Sequence, residues 1–235
     1  MNRATARSSP RHRRVRLCPQ AAAALVIPVL AIMLSGCLSS GYAYFSRRNP
    51  DGTELYFKLP SRWSTFDPKQ IIEASNGKLS PSQIAQIEGS GWTFAFSGAQ
   101  DVSLKQLNAE GIEGNRRPTG LVIAAAISGS YRDSLSFSSL RSTFLGTDPL
   151  TATNSSMSVL SYNEFSGSGG LRGSKMVVNV PKSGLVTTIG QIVVVDPATN
   201  WIFGIEIGCR ASCWGPNQGL INQILNAWTV KELRS

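Results

Sequence analysis

The sequence predicts an α+β domain in which a single antiparallel sheet is covered by helices. Four apolar segments of strand length, 157–165, 173–180, 185–195 and 201–207, follow one another with only short turns between them. Proline-led helical patterns precede these segments, and one amphipathic segment follows them. Short connections favour an antiparallel meander, and helices beside such a sheet define the α+β class.

The first half of the domain begins with a hairpin. Segments 42–46 and 53–59 have the composition of strands, and Asn49-Pro50-Asp51-Gly52 between them is a turn signal. Asp67-Pro68 and Ser80-Pro81 each place a capping side chain before a proline, which predicts two helix starts. The second of these helices is expected to end at Gly89.

The remaining elements follow from apolar runs and periodicity. Segment 92–96 is a short apolar strand, and 121–127 is an unbroken apolar run that predicts a central buried strand. Residues 131–145 are expected to form a helix. A final helix is expected over 216–228, because its large apolar residues recur on one face.

The first 36 residues have the parts of a secretory signal. Residues 1–20 carry six arginines and no acidic residue, and residues 21–34 are apolar apart from Pro28. As a helix this run spans roughly 21 Å, short of the ~30 Å hydrocarbon core. A cleaved signal is therefore favoured over a permanent transmembrane helix. Arg13-Arg14 leaves twin-arginine export open as an alternative route.

The signal ends in Leu34-Ser35-Gly36-Cys37, which resembles the lipobox of bacterial lipoproteins. This resemblance implies that residues 1–36 are removed and that Cys37 receives a diacylglyceryl group and fatty acyl chains such as palmitate. Residues 37–41 would then be a lipidated tether, and 42–235 a single domain outside the cytoplasmic membrane or in the cell envelope. An ordinary signal with a cysteine at this place by chance is the alternative.

The charge of the chain gives no indication of a nucleic-acid partner. Six of the 23 Lys and Arg residues precede Cys37, which leaves 17 against 14 Asp and Glu in the mature part. The pairs Arg47-Arg48 and Arg116-Arg117 are the remaining basic clusters, and they are interpreted as solvated loop ends.

Several chemistries are excluded by composition. The only histidine, His12, lies in the signal, so the mature domain has no Ser-His-Asp or Cys-His arrangement and no imidazole ligand for a metal. Phosphate-binding and dinucleotide-binding Gly-rich motifs are also missing from the sequence. We therefore expect no cofactor and no metal.

Cys209 and Cys213 are the two cysteines that remain after the signal and Cys37. In an exported protein this pair favours a disulfide, which would fix the shape of residues 210–212. A two-thiol metal or redox site is the alternative.

One pattern resembles the motifs of penicillin-binding proteins and serine β-lactamases. It consists of Ser75-Asn76-Gly77-Lys78, then Ser161-Tyr162-Asn163, then Lys182-Ser183-Gly184, with Ser75 in the place of the nucleophile. The last two motifs are closer together than in that family, and the mature chain is short for its fold. We therefore expect that the protein is not an enzyme, with a hydrolase based on Ser75 as the remote alternative.

Both ends of the mature chain resemble PsbP-like domains, including those of actinobacterial lipoproteins of the LpqN type. The resemblance rests on Phe57-Lys58-Leu59-Pro60-Ser61-Arg62-Trp63 and on the segments 191–196, 201–207 and 221–230. It implies a non-catalytic accessory or protein-binding role in envelope assemblies, and it transfers no catalytic residues. Residues 98–155 do not match well and are expected to be an insertion.

The sequence is compatible with two functions. A protein partner in the envelope is the first, and the second is a carrier or sensor of a small apolar or glycan ligand bound between sheet and helices. Tryptophan spacing favours core positions; Trp214, in the segment after the cysteines, is equally compatible with a ligand groove.

Overall fold

The structure, a computed structural model, describes residues 41–110, 115–152 and 156–232, and the part from Gly41 onward forms one compact unit. The α+β class is confirmed: all strand pairs in the described residues are antiparallel, and helices pack beside them. The expected single sheet is instead two sheets, one of seven strands and one of three. Cys37 and the signal lie outside the described residues.

The seven-stranded sheet has the order β3-β4-β5-β9-β8-β7-β6. Its strands are β3 (Ser64–Phe66), β4 (Gly91–Ser97), β5 (Thr119–Ala126), β6 (Ser158–Ser166), β7 (Arg172–Lys182), β8 (Leu185–Val195) and β9 (Trp201–Arg210). The predicted meander is confirmed, because β6, β7, β8 and β9 are successive neighbours. The predicted central strand is also confirmed: β5 lies between β4 and β9, although it falls within the expected insertion at 98–155.

The three-stranded sheet contains β1 (Tyr42–Arg48), β2 (Thr53–Pro60) and β10 (Thr229–Glu232), with β2 in the middle. The predicted hairpin is confirmed, and Gly52 closes its turn with a positive φ of 84°. Every second side chain of β2 is buried. Leu55, Phe57 and Val230 thus share one hydrophobic cluster with residues of β4, β5 and β9.

Both predicted helix starts are confirmed. Helix α1 (Pro68–Asn76) begins after Asp67 and helix α2 (Pro81–Ser90) after Ser80, and each has a capping box. The Asp67 carboxylate accepts a hydrogen bond from the Gln70 backbone N–H at 2.8 Å, and the Gln70 side-chain oxygen accepts one from the Asp67 N–H at 2.8 Å. These bonds satisfy N–H groups that an uncapped helix leaves without partners. A short helix not predicted from sequence, α3 (Leu104–Glu110), follows β4.

The prediction of a single helix over residues 131–145 is wrong. Two short helices occupy this region, α4 (Gly129–Asp133) and α5 (Phe137–Ser142). Serine side chains explain the break: the Ser134 hydroxyl donates to the Tyr131 carbonyl, and Ser136 caps a new helix by accepting from the Ser139 N–H. Such local bonds compete with a continuous helix.

The last helix, α6 (Ala211–Ala227), begins five residues before the predicted start at Pro216. Trp214 therefore lies on this helix rather than in a loop, and it is buried in the core. Helix α6 and the three-stranded sheet cover one face of the large sheet, and α5 packs on the other. Within the described residues, no helix combines the length and apolarity needed to span a bilayer.

Candidate functional site

The cysteine pair lies at the junction of β9 and α6. Cys209 is fully buried at the end of β9, Cys213 is nearly buried in the first turn of α6, and the structure joins them by a disulfide with their Cα atoms 5.9 Å apart. The backbone N–H of Arg210, between them, donates to the Asn115 carbonyl at 3.0 Å. The bridge thus holds the start of the last helix against the sheet.

We expect thiol labelling of the mature protein to leave Cys209 and Cys213 unmodified under denaturing, non-reducing conditions, because a disulfide does not react with alkylating reagents. Reduction should expose both thiols, and mass spectrometry counts the attached labels. In the Cys209→Ser variant, Cys213 should react without reduction. Labelling of both cysteines in the unreduced wild type would reject the bridge.

The residues of the β-lactamase-like pattern do not come together. Ser75 lies on α1 and its hydroxyl donates to the Ile71 carbonyl at 3.0 Å, whereas Ser161 lies on β6. Helix α1 packs on β4, and five strand spacings of ~4.8 Å separate β4 from β6, about 24 Å in total. Lys182 ends β7, next to β6. This arrangement cannot place Ser75 beside the other two motifs.

A polar cluster fastens helix α5 to β6, the edge strand. The Arg141 guanidinium donates two hydrogen bonds to the Asp148 carboxylate, at 2.8 and 2.7 Å. Its third nitrogen donates to the Tyr162 hydroxyl at 2.6 Å and lies 3.4 Å from Glu164. Tyr162 also donates to Glu164, and the Arg141 carbonyl accepts from Gln191 of β8 at 2.8 Å. The cluster therefore fixes β6 relative to the body of the domain.

The charges in this cluster shift one another's proton affinity. Hydrogen bonds from Arg141 hold the pKa of Asp148 well below its usual range, against an opposing effect of burial. The bond to Asp148 raises the pKa of Arg141. Burial, followed by the hydrogen bond to Glu164, raises the pKa of Tyr162. The first two of these shifts favour the charged forms of Arg141 and Asp148. Sequence reasoning missed this cluster because the partners of Arg141 lie 7 to 50 positions away from it and match no local motif.

Strand β6 forms one edge of the large sheet and is nine residues long, whereas β3 at the other edge has three. A bulge interrupts the pairing of β6 with β7 between Val159 and Ser161. Leu160 lies at this bulge and is 55% exposed. Bulges reorient side chains, and a long edge strand offers backbone groups to another strand.

The outward face of the three-stranded sheet is rich in tyrosine and cationic side chains, and we call it the tyrosine face. Its residues are Tyr42, Tyr44, Ser46, Arg48, Glu54, Tyr56, Lys58, Thr229 and Lys231, which register and alternation place on the same side. Tyr44 is 71% exposed. The Lys58 ammonium lies 4.6 Å from the Tyr42 ring centre, and that of Lys231 lies 5.2 Å from the Tyr56 ring centre. A hydrogen bond to Glu54 raises the pKa of Tyr56.

An open cavity of about 260 Å³ lies between the large sheet and the end of the last helix. Leu171, Ile192 and Leu225 contribute apolar walls, and Lys175 and Asn226 contribute polar ones. The Lys175 ammonium donates to the Asn226 side-chain oxygen at 2.8 Å. This is the sheet–helix position expected for a carrier, although its volume is below the usual range of ligand pockets.

Within the described residues, no group of three His, Cys, Asp or Glu side chains could hold a metal ion.

Comparison with known proteins finds similarity in solved structures, whereas no family model and no curated protein matches the chain. The cyanobacterial PsbP protein of Synechocystis is 14% identical, with a TM-score of 0.48, over 82% of this chain and 94% of that one. LpqN of Mycobacterium tuberculosis, involved in cell envelope biogenesis, is 13% identical, with a TM-score of 0.43, over 81% and 91%. The Ran-binding protein Mog1p of Saccharomyces cerevisiae is 10% identical, with a TM-score of 0.40, over 80% and 95%. These are similarities of fold. The similar structures include a PsbP protein and LpqN, the two kinds of protein that both ends of the mature sequence resemble.

Proposed function

We propose that this protein is an exported lipoprotein, anchored to the membrane through Cys37, whose folded domain has no catalytic role and binds a protein partner of the cell envelope. The lipobox-like end of the signal supports the anchor. The separation of Ser75 from Ser161 and Lys182 supports a non-catalytic domain. The proposed binding role rests on one observation: β6 is an edge strand, and Leu160 is exposed at its bulge.

An edge strand binds a partner through main-chain hydrogen bonds, and exposed side chains along it supply selectivity. In the described part of the chain, β6 pairs only with β7, and we propose that its other edge accepts the added strand. The cluster of Arg141, Tyr162 and Glu164 holds β6 in position before any partner arrives. A strand that is already ordered loses less conformational entropy on binding.

The test is the native mass of the lipidated protein after gentle extraction from its own membranes. We expect the mass of a second polypeptide with the wild type and with Leu150→Asp, a matched substitution at a leucine that is 47% exposed outside β6. Leu160→Asp should lose that mass, because it places a charge where the partner packs. Retention of the partner by Leu160→Asp would reject β6 as the site, and a wild type without a second polypeptide would reject the binding role.

The second candidate function is a carrier of a small ligand, which the sheet–helix cavity favours. Trp228 contributes to its wall, and the indole nitrogen is buried without a hydrogen-bond partner in the described residues. A carrier would show the extra mass of a small molecule, lost on denaturation, in place of a second polypeptide.

A further inference from the structure

We propose that the tyrosine face lies against the membrane that holds the anchor, with its tyrosines among the lipid headgroups and its cations beside anionic phospholipid phosphates. This inference rests on the proposed lipidation of Cys37 and concerns a different surface from β6.

The length of the tether restricts how far the face can lie from the bilayer. Four residues, 38–41, separate Cys37 from Tyr42, the first residue of β1. The five steps from Cys37 to Tyr42, at ~3.5 Å each, reach at most about 18 Å. Strand β1 is an edge strand of the three-stranded sheet, so the tether holds this sheet beside the membrane.

The composition of the face fits the interfacial region of a bilayer. Tyrosine combines an apolar ring with a hydroxyl group, and it is enriched where membrane and water meet. Tyr44 exposes most of its surface although it belongs to a regular strand. Its register partner is Lys58, whose ammonium group lies over the ring of Tyr42 on the same face. Burial of the ring among headgroups would bring the ammonium group to the depth of the phosphates.

The charge of the face complements an anionic surface. Arg48, Lys58 and Lys231 are its cations and Glu54 is its only acid, so it carries two net positive charges. Each basic side chain near an anionic bilayer contributes on the order of fivefold to association. Glu54 lies opposite both Arg48 and Lys231, which leaves Lys58 beside the exposed Tyr44.

The test uses the lipidated full-length mature protein in vesicles of phosphatidylcholine, with or without phosphatidylglycerol. A polarity-sensitive fluorophore is attached at Ser46→Cys on the tyrosine face or at Ser161→Cys on β6, and nitroxide lipids serve as quenchers. We expect quenching at position 46, stronger with phosphatidylglycerol and weaker at high salt, and none at position 161. Replacing Lys58 and Lys231 by glutamine should shift the contact equilibrium by about fivefold for each lysine.

The matched control replaces Lys78 and Lys105, two exposed lysines outside the tyrosine face, by glutamine, which should leave the quenching unchanged. Equal quenching at positions 46 and 161, or none at 46 while the protein stays on the vesicles, would overturn the inference and leave the anchor intact. Protection of position 46 only when a second protein is present would likewise overturn it in favour of protein docking. Mass spectrometry of Cys37 is the separate readout for lipidation; an unmodified Cys37 would contradict the proposed function itself.

Discussion

Replacing Asp148 by alanine is expected to lower the free energy of unfolding by about 3 kcal/mol. Asp148 is 6% exposed and Arg141 is 8% exposed, so the substitution leaves a guanidinium group buried without its main counter-charge. Loss of the carboxylate also removes the acceptor of the Ser138 and Thr151 hydroxyls. We place the effect at the lower end for a broken buried ion pair, because Tyr162 and Glu164 still contact Arg141. Urea unfolding followed by tryptophan fluorescence measures the change.

Asp133→Ala is the matched control, because this aspartate is exposed on α4 and its loss should cost less than ~0.5 kcal/mol. The double variant Arg141→Met with Asp148→Leu should be more stable than Asp148→Ala, since it leaves no buried charge without a partner. If Asp148→Ala unfolds at the same urea concentration as the wild type, the ion pair does not stabilise the fold.

The pH dependence of stability provides an independent check on this pair. Arg141 depresses the pKa of Asp148 in the folded state, so the unfolded chain takes up a proton at higher pH than the folded one. The stabilisation is therefore fully present above the unfolded carboxyl pKa of ~4 and is lost as the pH falls towards the folded pKa. The wild type should lose more stability than Asp148→Asn on acidification below about pH 4. Parallel curves would contradict the assignment.

Replacing Cys37 by alanine should abolish lipidation, because this cysteine sulfur is the proposed attachment point of the anchor. The product should be uncut or released from membranes, and the difference should be complete rather than partial, since the domain then lacks its acyl chains. Membrane fractionation and intact-mass measurement give the readout. Cys18→Ala, a cysteine substitution within the signal, is the control and should fractionate as the wild type does. Wild-type behaviour of Cys37→Ala would contradict the interpretation of residues 1–37.

Elements that depend on short-range chemistry were predicted well. Asp67-Pro68 and Ser80-Pro81 predict their helix starts because a cap acts on backbone groups within three residues of itself. The boundaries of β8 match the apolar run at 185–195, because both faces of this strand are covered. The hairpin at residues 49–52 follows in the same way from turn residues that restrict the backbone directly.

Predictions failed where neighbouring polar residues competed with the pattern or where distant contacts decided the outcome. Serines divide the expected helix over 131–145, because their hydroxyls bond to the backbone there. The last helix starts at Ala211 rather than at the predicted Pro216, and this start lies beside the disulfide between Cys209 and Cys213. Periodicity describes which side chains face the core, and it does not describe where a local bond will interrupt or extend an element.

The chain's local patterns were sufficient for the α+β class and for most strand and helix positions, because each depends on residues close in sequence. The lipobox-like signal is also a local pattern, and it stays a prediction. The division into two sheets, the Arg141–Asp148 cluster and the tyrosine face required the three-dimensional arrangement. Strand β10 meets β2 across more than 160 residues, and Arg141 reaches β6 only because α5 packs on the sheet. Such long-range contacts are selected by the packing of the whole core, which no segment of the sequence specifies alone.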